Sequence, residues 1–184
     1  MTKDNNINNF SLISRLFGNL FYRSPNDPTL ANVFLWLKQK GLSSIWCLEL
    51  DKESQKALDN LQMEIDLSVL KQEYQTLFID NSKVSIKISD YGISSADFLN
   101  FRAIRGMPLE SADNFGLVFL TASWIEDNLD SVDAQKELFE KFLLPCASQF
   151  LKQVELKASL PFYKSLALLS REILSAMADE LEEI

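Results

Sequence analysis

Residues 116–125 read GLVFLTASWI and carry no charged side chain. A helix that is apolar on every side is typical of the centre of a domain, because none of its faces suits water. This stretch therefore predicts a central helix whose two ends are held in fixed positions. Four large side chains would each contribute about 1.5–3 kcal/mol on burial, before conformational entropy is subtracted: Leu117, Phe119, Leu120 and Trp124.

Apolar residues on both sides of this stretch recur at spacings of three and four, which indicates amphipathic helices. Three helix starts are predicted from suitable capping residues: Asp27 followed by Pro28, then Asp66, and then Ser94 or Ser95. Gly41 is expected to end the second helix. Further boundaries are predicted at Ser24-Pro25, at Pro145 and at Pro161, because proline interrupts a helix.

One segment breaks the helical pattern. Val84, Ile86 and Ile88 alternate with polar residues, which is the period of an extended chain. The segment is short and isolated, so it predicts a long loop over residues 80–93 rather than a sheet. The sequence therefore predicts an all-α fold, a single-domain helical bundle of about nine or ten helices over residues 1–184, with residues 1–8 disordered.

Composition excludes several classes of function. The chain has 184 residues, no histidine and a formal net charge of −8. Such a charge repels phosphate backbones and anionic lipid, so we expect no nucleic-acid partner and no stable membrane insertion. Residues 1–9 are polar and do not resemble a signal peptide, and we expect a cytoplasmic protein. Cys47 and Cys146 are expected to be reduced thiols.

The sequence offers no residues for an enzyme. Without histidine there is neither a His-liganded metal site nor a Ser-His or Cys-His pair, and no glycine-rich phosphate loop is present. The neighbouring carboxylates at 126–127 and 182–183 are typical of solvated helix ends. We therefore expect no catalytic residues, no metal and no cofactor.

Negative charge is concentrated around the central helix. No lysine or arginine lies between Arg105 and Lys136, while Glu110 and Asp113 precede the helix. One interpretation is local: Asp113 or Ser111 caps the helix start. The other is that Glu110 and Asp113 line a groove for a cationic group such as guanidinium, which matches carboxylate geometry. At the far end of the helix lies a second acidic group, interpreted as an ordinary solvated turn: Glu126, Asp127, Asp130 and Asp133.

The stretch MPLESADNFG at residues 107–116 resembles the signature of the TorD/DmsD family, chaperones for molybdenum-containing reductases exported by the twin-arginine route. Glu110, Asp113 and Gly116 match its approximate pattern Glu-Pro-x-Asp-His-x-Gly, whereas Ser111 replaces the proline and Asn114 the histidine. Further similar stretches are LFGNLFYRSPND from Leu16, EYQTLFI from Glu73, FLLPCASQFLKQVELKASLPFYKSLALLSREIL from Phe142, and ASWIED from Ala122.

The resemblance implies an all-helical cytoplasmic chaperone that binds a client molybdoenzyme, or its twin-arginine signal peptide, until the cofactor is inserted. It implies a monomer or a helix-exchanged dimer. The client-binding residues so implied are Glu110, Ser111, Asp113 and Asn114, with Tyr22 and Tyr91 as aromatic contacts. Arg15 on the first helix is a further candidate for this set. Residues 84–91 replace the family's Pro-Pro and Trp-rich loop, so the aromatic wall would use Tyr91, or Tyr22 with Trp36.

Two questions stay open from the sequence. Arg15 either neutralises a groove carboxylate or lies at the surface. The client is either an exported reductase or a different, non-exported cytoplasmic metalloenzyme bound through an apolar helix face. Salt distinguishes these modes, since arginine capture weakens at high ionic strength and apolar docking does not.

Overall fold

Within the part of the chain that the structure describes, side-chain caps start five of the ten α-helices. The computed structural model of the protein describes residues 2–80 and 83–183, with side chains from residue 9 onward. Its ten α-helices are α1 (Thr2–Tyr22), α2 (Ala31–Lys38), α3 (Gly41–Ile45), α4 (Lys52–Gln62), α5 (Leu67–Tyr74), α6 (Ser95–Ala103), α7 (Phe115–Asn128), α8 (Val132–Leu138), α9 (Leu144–Lys157) and α10 (Pro161–Glu182). Single turns of 3₁₀ helix span Pro28–Leu30 and Ile88–Tyr91, and π-helical turns extend α5 through Gln75–Ile79 and α8 through Phe139–Leu143.

The predicted start signals Asp27, Asp66 and Ser94 are confirmed, because each side chain accepts a hydrogen bond from a backbone N–H of the following turn. Two boundary predictions are wrong. Gly41 does not end α2 but begins α3, where a Cβ would stand 2.1 Å from the Trp36 ring. Pro145 lies in the first turn of α9 and leaves the chain helical, since a π-helical turn precedes it and proline is tolerated there.

The all-α prediction is confirmed: no strand occurs in residues 2–80 and 83–183. Helix α7 is the central helix, packed along α1, with nine of its residues buried. Helix α10 packs on α4 and α9. An aromatic cluster fills the interior, and in it the Phe115 and Phe150 rings approach to 4.4 Å between centroids.

Residues 83–93 run along the surface of this core without strand pairing. Val84, Ile86 and Ile88 are buried, so the alternation in the sequence reflects a face turned towards the core. The Ile86 carbonyl accepts the backbone N–H of Phe115 at 2.8 Å, which ties the segment to the start of α7. Residues 81–82 lie outside the description, and so do Met1 and the side chains of residues 2–8. The expected disorder of residues 1–8 therefore stays a prediction.

Two thiols are free. Cys146 is buried and donates to the Phe142 carbonyl at 3.2 Å, and burial raises its pKa to about 12. Cys47 is half-buried, and burial raises its pKa as well. Across the described ranges, none of the helices combines the length and hydropathy that a membrane crossing requires.

Candidate functional site

The loop from α6 to α7 is pinned to the core by a buried arginine. Arg102 is 5% exposed; its guanidinium donates to Thr121 Oγ1 on α7 at 2.6 Å and to the Pro108 carbonyl at 3.0 Å. Met107 is buried just before this carbonyl. Because one guanidinium bonds both the loop and the central helix, it fixes the path of the loop at Pro108. Residues 109–114 therefore extend from a point that is fixed relative to α7.

Glu110 and Tyr22 meet at this loop. The hydroxyl of Tyr22, at the end of α1, donates to Glu110 Oε2 at 3.1 Å, and the Glu110 side chain is exposed. Partial burial is the main cause that raises the pKa of Tyr22, followed by the bond to this carboxylate. Beside them Leu109 is 86% exposed. We call the surface formed by Leu109, Glu110 and Tyr22 the Glu110 face.

Asp113 has a different environment. Its Oδ1 accepts the backbone N–H of Ser89 at 3.0 Å, and its Oδ2 accepts the Ser89 hydroxyl at 2.7 Å. Both oxygens are therefore bonded within the molecule, and they fasten the 3₁₀ turn Ile88–Tyr91 to the loop. The local interpretation of Asp113 or Ser111 as the helix cap is wrong, because α7 begins later and Asn114 caps it, accepting the N–H of Gly116 at 2.7 Å.

The remaining predicted residues are dispersed around this loop. Ser111 is exposed on it. Tyr91 is half-buried; its hydroxyl donates to the Ser85 carbonyl at 2.6 Å, its ring packs edge-on against Phe150, and burial raises its pKa to about 12. Trp36 packs against Gly41 on a different part of the bundle.

Arg15 does not neutralise Glu110 or Asp113. Its guanidinium lies 3.5 Å from Asp127, at the opposite end of α7, and half of its side chain is exposed. The antiparallel packing of α1 on α7 explains this, because Tyr22 lies beside the start of α7 whereas Ser11 bonds to Asp127 at its end. The acidic groups before and after the central helix therefore belong to separate surfaces.

Sequence reasoning missed three residues of this region. Leu109 is the apolar member of the Glu110 face, and Arg102 is the buried side chain that supports the loop beneath it. Ser89 donates hydrogen bonds to both carboxylate oxygens of Asp113. A lone leucine between proline and glutamate in a polar loop was a signal for the first. Nothing local indicated the other two, since their roles depend on contacts between distant elements.

The arrangement suits recognition rather than catalysis. Glu110 offers one exposed carboxylate next to an aromatic hydroxyl and an exposed leucine. Among the described residues, no group of three or more His, Cys, Asp or Glu side chains is placed to hold a metal ion. A surface of this kind can accept a cation next to an apolar side chain.

Comparisons with known proteins identify the relatives of this chain. No protein-family model matches it. It is 64% identical over 178 residues to an uncharacterized protein of Haemophilus influenzae, covering 96% of this chain and 97% of that protein. It is 39% identical to the chaperone protein YcdY of Escherichia coli, covering 96% and 98%. It is 25% identical to the probable Tat proofreading chaperone DmsD of Haemophilus influenzae, covering 90% and 88%.

These named relatives are chaperones and not enzymes, and their matches run nearly end to end. The all-helical architecture and the order of the similar stretches agree with them. The chain is a non-enzymatic protein that belongs to the TorD/DmsD family of chaperones.

Proposed function

We propose that this chaperone binds its client's polypeptide at the Glu110 face and keeps the client competent for cofactor insertion. Glu110 pairs with a cationic side chain, and Leu109 and Tyr22 contact an apolar residue beside it. The observation that carries the proposal is the exposed carboxylate of Glu110, held by Tyr22 next to an 86% exposed leucine.

The support beneath this face favours binding without reorganisation. Arg102 fixes the loop at Pro108, Asn114 fixes the start of α7, and Ser89 holds Asp113. A loop that is preorganised in this way binds with higher affinity, because it loses little conformational entropy on association. An exposed charge pair contributes only about 0.2–1 kcal/mol, so binding is modest and reversible. Reversibility is what a chaperone that releases its client requires.

Relatives of this chain are named Tat proofreading chaperones. On that ground the client is a molybdoenzyme carrying a twin-arginine signal peptide, met in the cytoplasm before export. Adjacent arginines followed by an apolar stretch supply both the cation for Glu110 and the contact for Leu109. Both carboxylate oxygens of Asp113 already accept hydrogen bonds from Ser89. Glu110 is therefore the one carboxylate of the loop that pairs with the cation, and one arginine of the client's pair dominates recognition.

A second candidate is an adaptor for a non-exported metalloenzyme. A groove of about 510 Å³ between α9 and α10 favours it, and Leu156 at that groove is 67% exposed. An apolar helix of the client would lie in this groove. Binding there would be nearly independent of ionic strength.

The test is a titration with a synthetic twin-arginine signal peptide at low and at physiological salt. Glu110→Gln keeps the shape and the Tyr22 contact but removes the charge, and Glu49→Gln removes an exposed charge elsewhere. We expect Glu110→Gln to weaken binding severalfold at low salt and Glu49→Gln to leave it unchanged. Equal affinities for all three proteins would refute the role of Glu110, and salt-independent binding lost in Leu156→Ser would favour the adaptor.

A further inference from the structure

Helix α2 is apolar but lies at the surface of the bundle. Six of its eight residues are apolar, and Leu37 alone among the eight is buried. The Phe34 ring packs against Phe162, with 5.9 Å between centroids, whereas Leu35 is 55% exposed. The central helix α7, also rich in apolar residues, has nine of its fourteen residues buried. An apolar helix that stays at the surface indicates a contact outside the fold.

The exposed apolar side chains around α2 are contiguous. A groove of about 250 Å³ lies between α2 and the chain that connects α4 to α5, and eight of the ten residues that line it are apolar. Two of them, Met63 and Leu67, are 60% and 38% exposed, and Leu35 lines the same groove. A continuous apolar patch of this kind is typical of an interaction surface, whereas single exposed leucines are ordinary.

One ion pair borders the groove. Lys38 Nζ lies 2.9 Å from Glu64 Oε1, and the two side chains are 56% and 79% exposed. We call the surface formed by Leu35, Lys38, Met63, Glu64 and Leu67 the α2 face. An acidic or a basic partner would pair with one of these two charges and repel the other. A second copy of the chain carries both charges, and a two-fold axis sets Lys38 of each copy against Glu64 of the other.

We propose that the α2 face is a symmetric interface between two copies of this chain. Leu35 and Met63 of the two copies pack together, and Lys38 and Glu64 form two ion pairs between the copies. Every helix stays within its own chain, so the dimer forms without helix exchange. The face shares no residue with the Glu110 face, and the proposal does not depend on the function proposed for that face.

The size and charge of the face make this dimer weak. The α2 face has five residues, whereas a standard interface has about 20–30 residues on each side. Each copy also has a formal net charge of −8, so two copies repel each other at long range. We therefore expect a dimer that dissociates on dilution.

Sedimentation velocity of the full chain over about 1–500 µM, in about 0.15 M salt to screen the repulsion, measures this equilibrium. Leu35→Ser removes an apolar side chain from the α2 face, and Ile104→Ser is its matched control, since Ile104 is 69% exposed and does not line the groove. We expect Leu35→Ser to raise the dimer Kd at least about tenfold. Ile104→Ser and Glu110→Gln should leave the Kd unchanged.

The two rim charges allow a test that a loss of stability cannot imitate. Lys38→Glu gives the face two negative charges, and Glu64→Lys gives it two positive charges, so each variant repels its own copies. We expect either variant alone to be monomeric. An equal mixture of the two should form a dimer with one copy of each, because faces of opposite charge then meet.

Wild type that stays monomeric over the whole range would overturn the proposal, and so would a mixture of the two charge variants without a dimer. Equal weakening by Leu35→Ser and Ile104→Ser would overturn it by removing the special role of the α2 face. A dimer that persists on dilution and in Leu35→Ser would indicate helix exchange instead. If wild type were monomeric and Leu35→Ser weakened binding of a twin-arginine peptide, the α2 face would bind the client and not a second copy.

Discussion

Gly116 lies so close to Tyr22 that a Cβ on Gly116 would stand 2.6 Å from the Tyr22 backbone nitrogen. This approach sets the separation of α1 and α7, and it places the Tyr22 hydroxyl beside Glu110. The glycine of the family-like stretch therefore has a packing role, which links the central helix to the candidate site.

The first prediction concerns this contact. Gly116→Ala forces α1 and α7 apart, because the clash is with backbone rather than with a flexible side chain. We expect the free energy of unfolding to fall by about 1–3 kcal/mol in urea titrations. Gly106→Ala is the matched control: its φ is +75 with no atom near the added Cβ, so only a conformational penalty of about 1 kcal/mol applies. Equal losses in both variants would argue against the contact.

The second prediction concerns the hydrogen bonds from Ser89 to Asp113, which hold residues 83–93 to the loop before α7. Ser89→Ala removes the hydroxyl bonded to Asp113 but keeps the backbone bond. We expect a loss of about 1 kcal/mol in stability and faster hydrogen exchange at residues 83–93, with α10 unchanged. Asp113→Ala should lose more, since both bonds disappear. If Asp113→Ala left stability and exchange unchanged while weakening peptide binding, Asp113 would be a ligand-binding residue and not a residue that holds residues 83–93 in place.

The central helix and the helix starts at Asp27, Asp66 and Ser94 could be predicted from the sequence, because an uncharged run and a capping residue act through neighbours along the chain. The roles of Gly41 and Asp113 could not. Trp36 fills the space at Gly41, and Ser89 reaches Asp113 across a separation of 24 residues. The surroundings of Glu126 could not be predicted for the same reason, since only the folding of α10 brings Glu180 near Glu126.

The third prediction concerns pH. Burial, with Asp127 and Glu180 nearby, raises the pKa of Glu126, whereas the bond from Gln135 lowers it. An acid whose pKa is raised by folding binds protons more tightly in the folded state, so its unfavourable contribution appears as the pH rises above the ordinary value of 4.5 and is complete above the raised value.

Glu126→Gln should therefore be more stable than wild type at neutral pH, and this difference should shrink as the pH falls through the raised pKa of Glu126 and vanish below 4.5. Urea titrations across this range measure the difference, and Glu183→Gln, which removes an exposed carboxylate at the end of α10, provides the baseline. A variant that is less stable than wild type at neutral pH would show that the Glu126 charge is compensated within the fold.

The fourth prediction concerns the thiols. The thiolate is the reactive form, and burial raises the pKa of Cys146 to about 12, while Cys47 is half-buried. Iodoacetamide should modify Cys47 in the native protein and Cys146 only after unfolding, as followed by mass spectrometry of peptides. Similar native rates at both positions would mean that α9 opens readily around Cys146.

The most direct measurement of the central claim is a double-mutant cycle between the chaperone and its peptide. Wild type and Glu110→Gln are each titrated with a twin-arginine signal peptide and with the same peptide carrying citrulline at each arginine in turn. The account predicts a coupling energy of about 0.5–1 kcal/mol between Glu110 and one arginine, decreasing as salt rises. Zero coupling at both arginines, with intact binding, would contradict capture of the client's cation by Glu110.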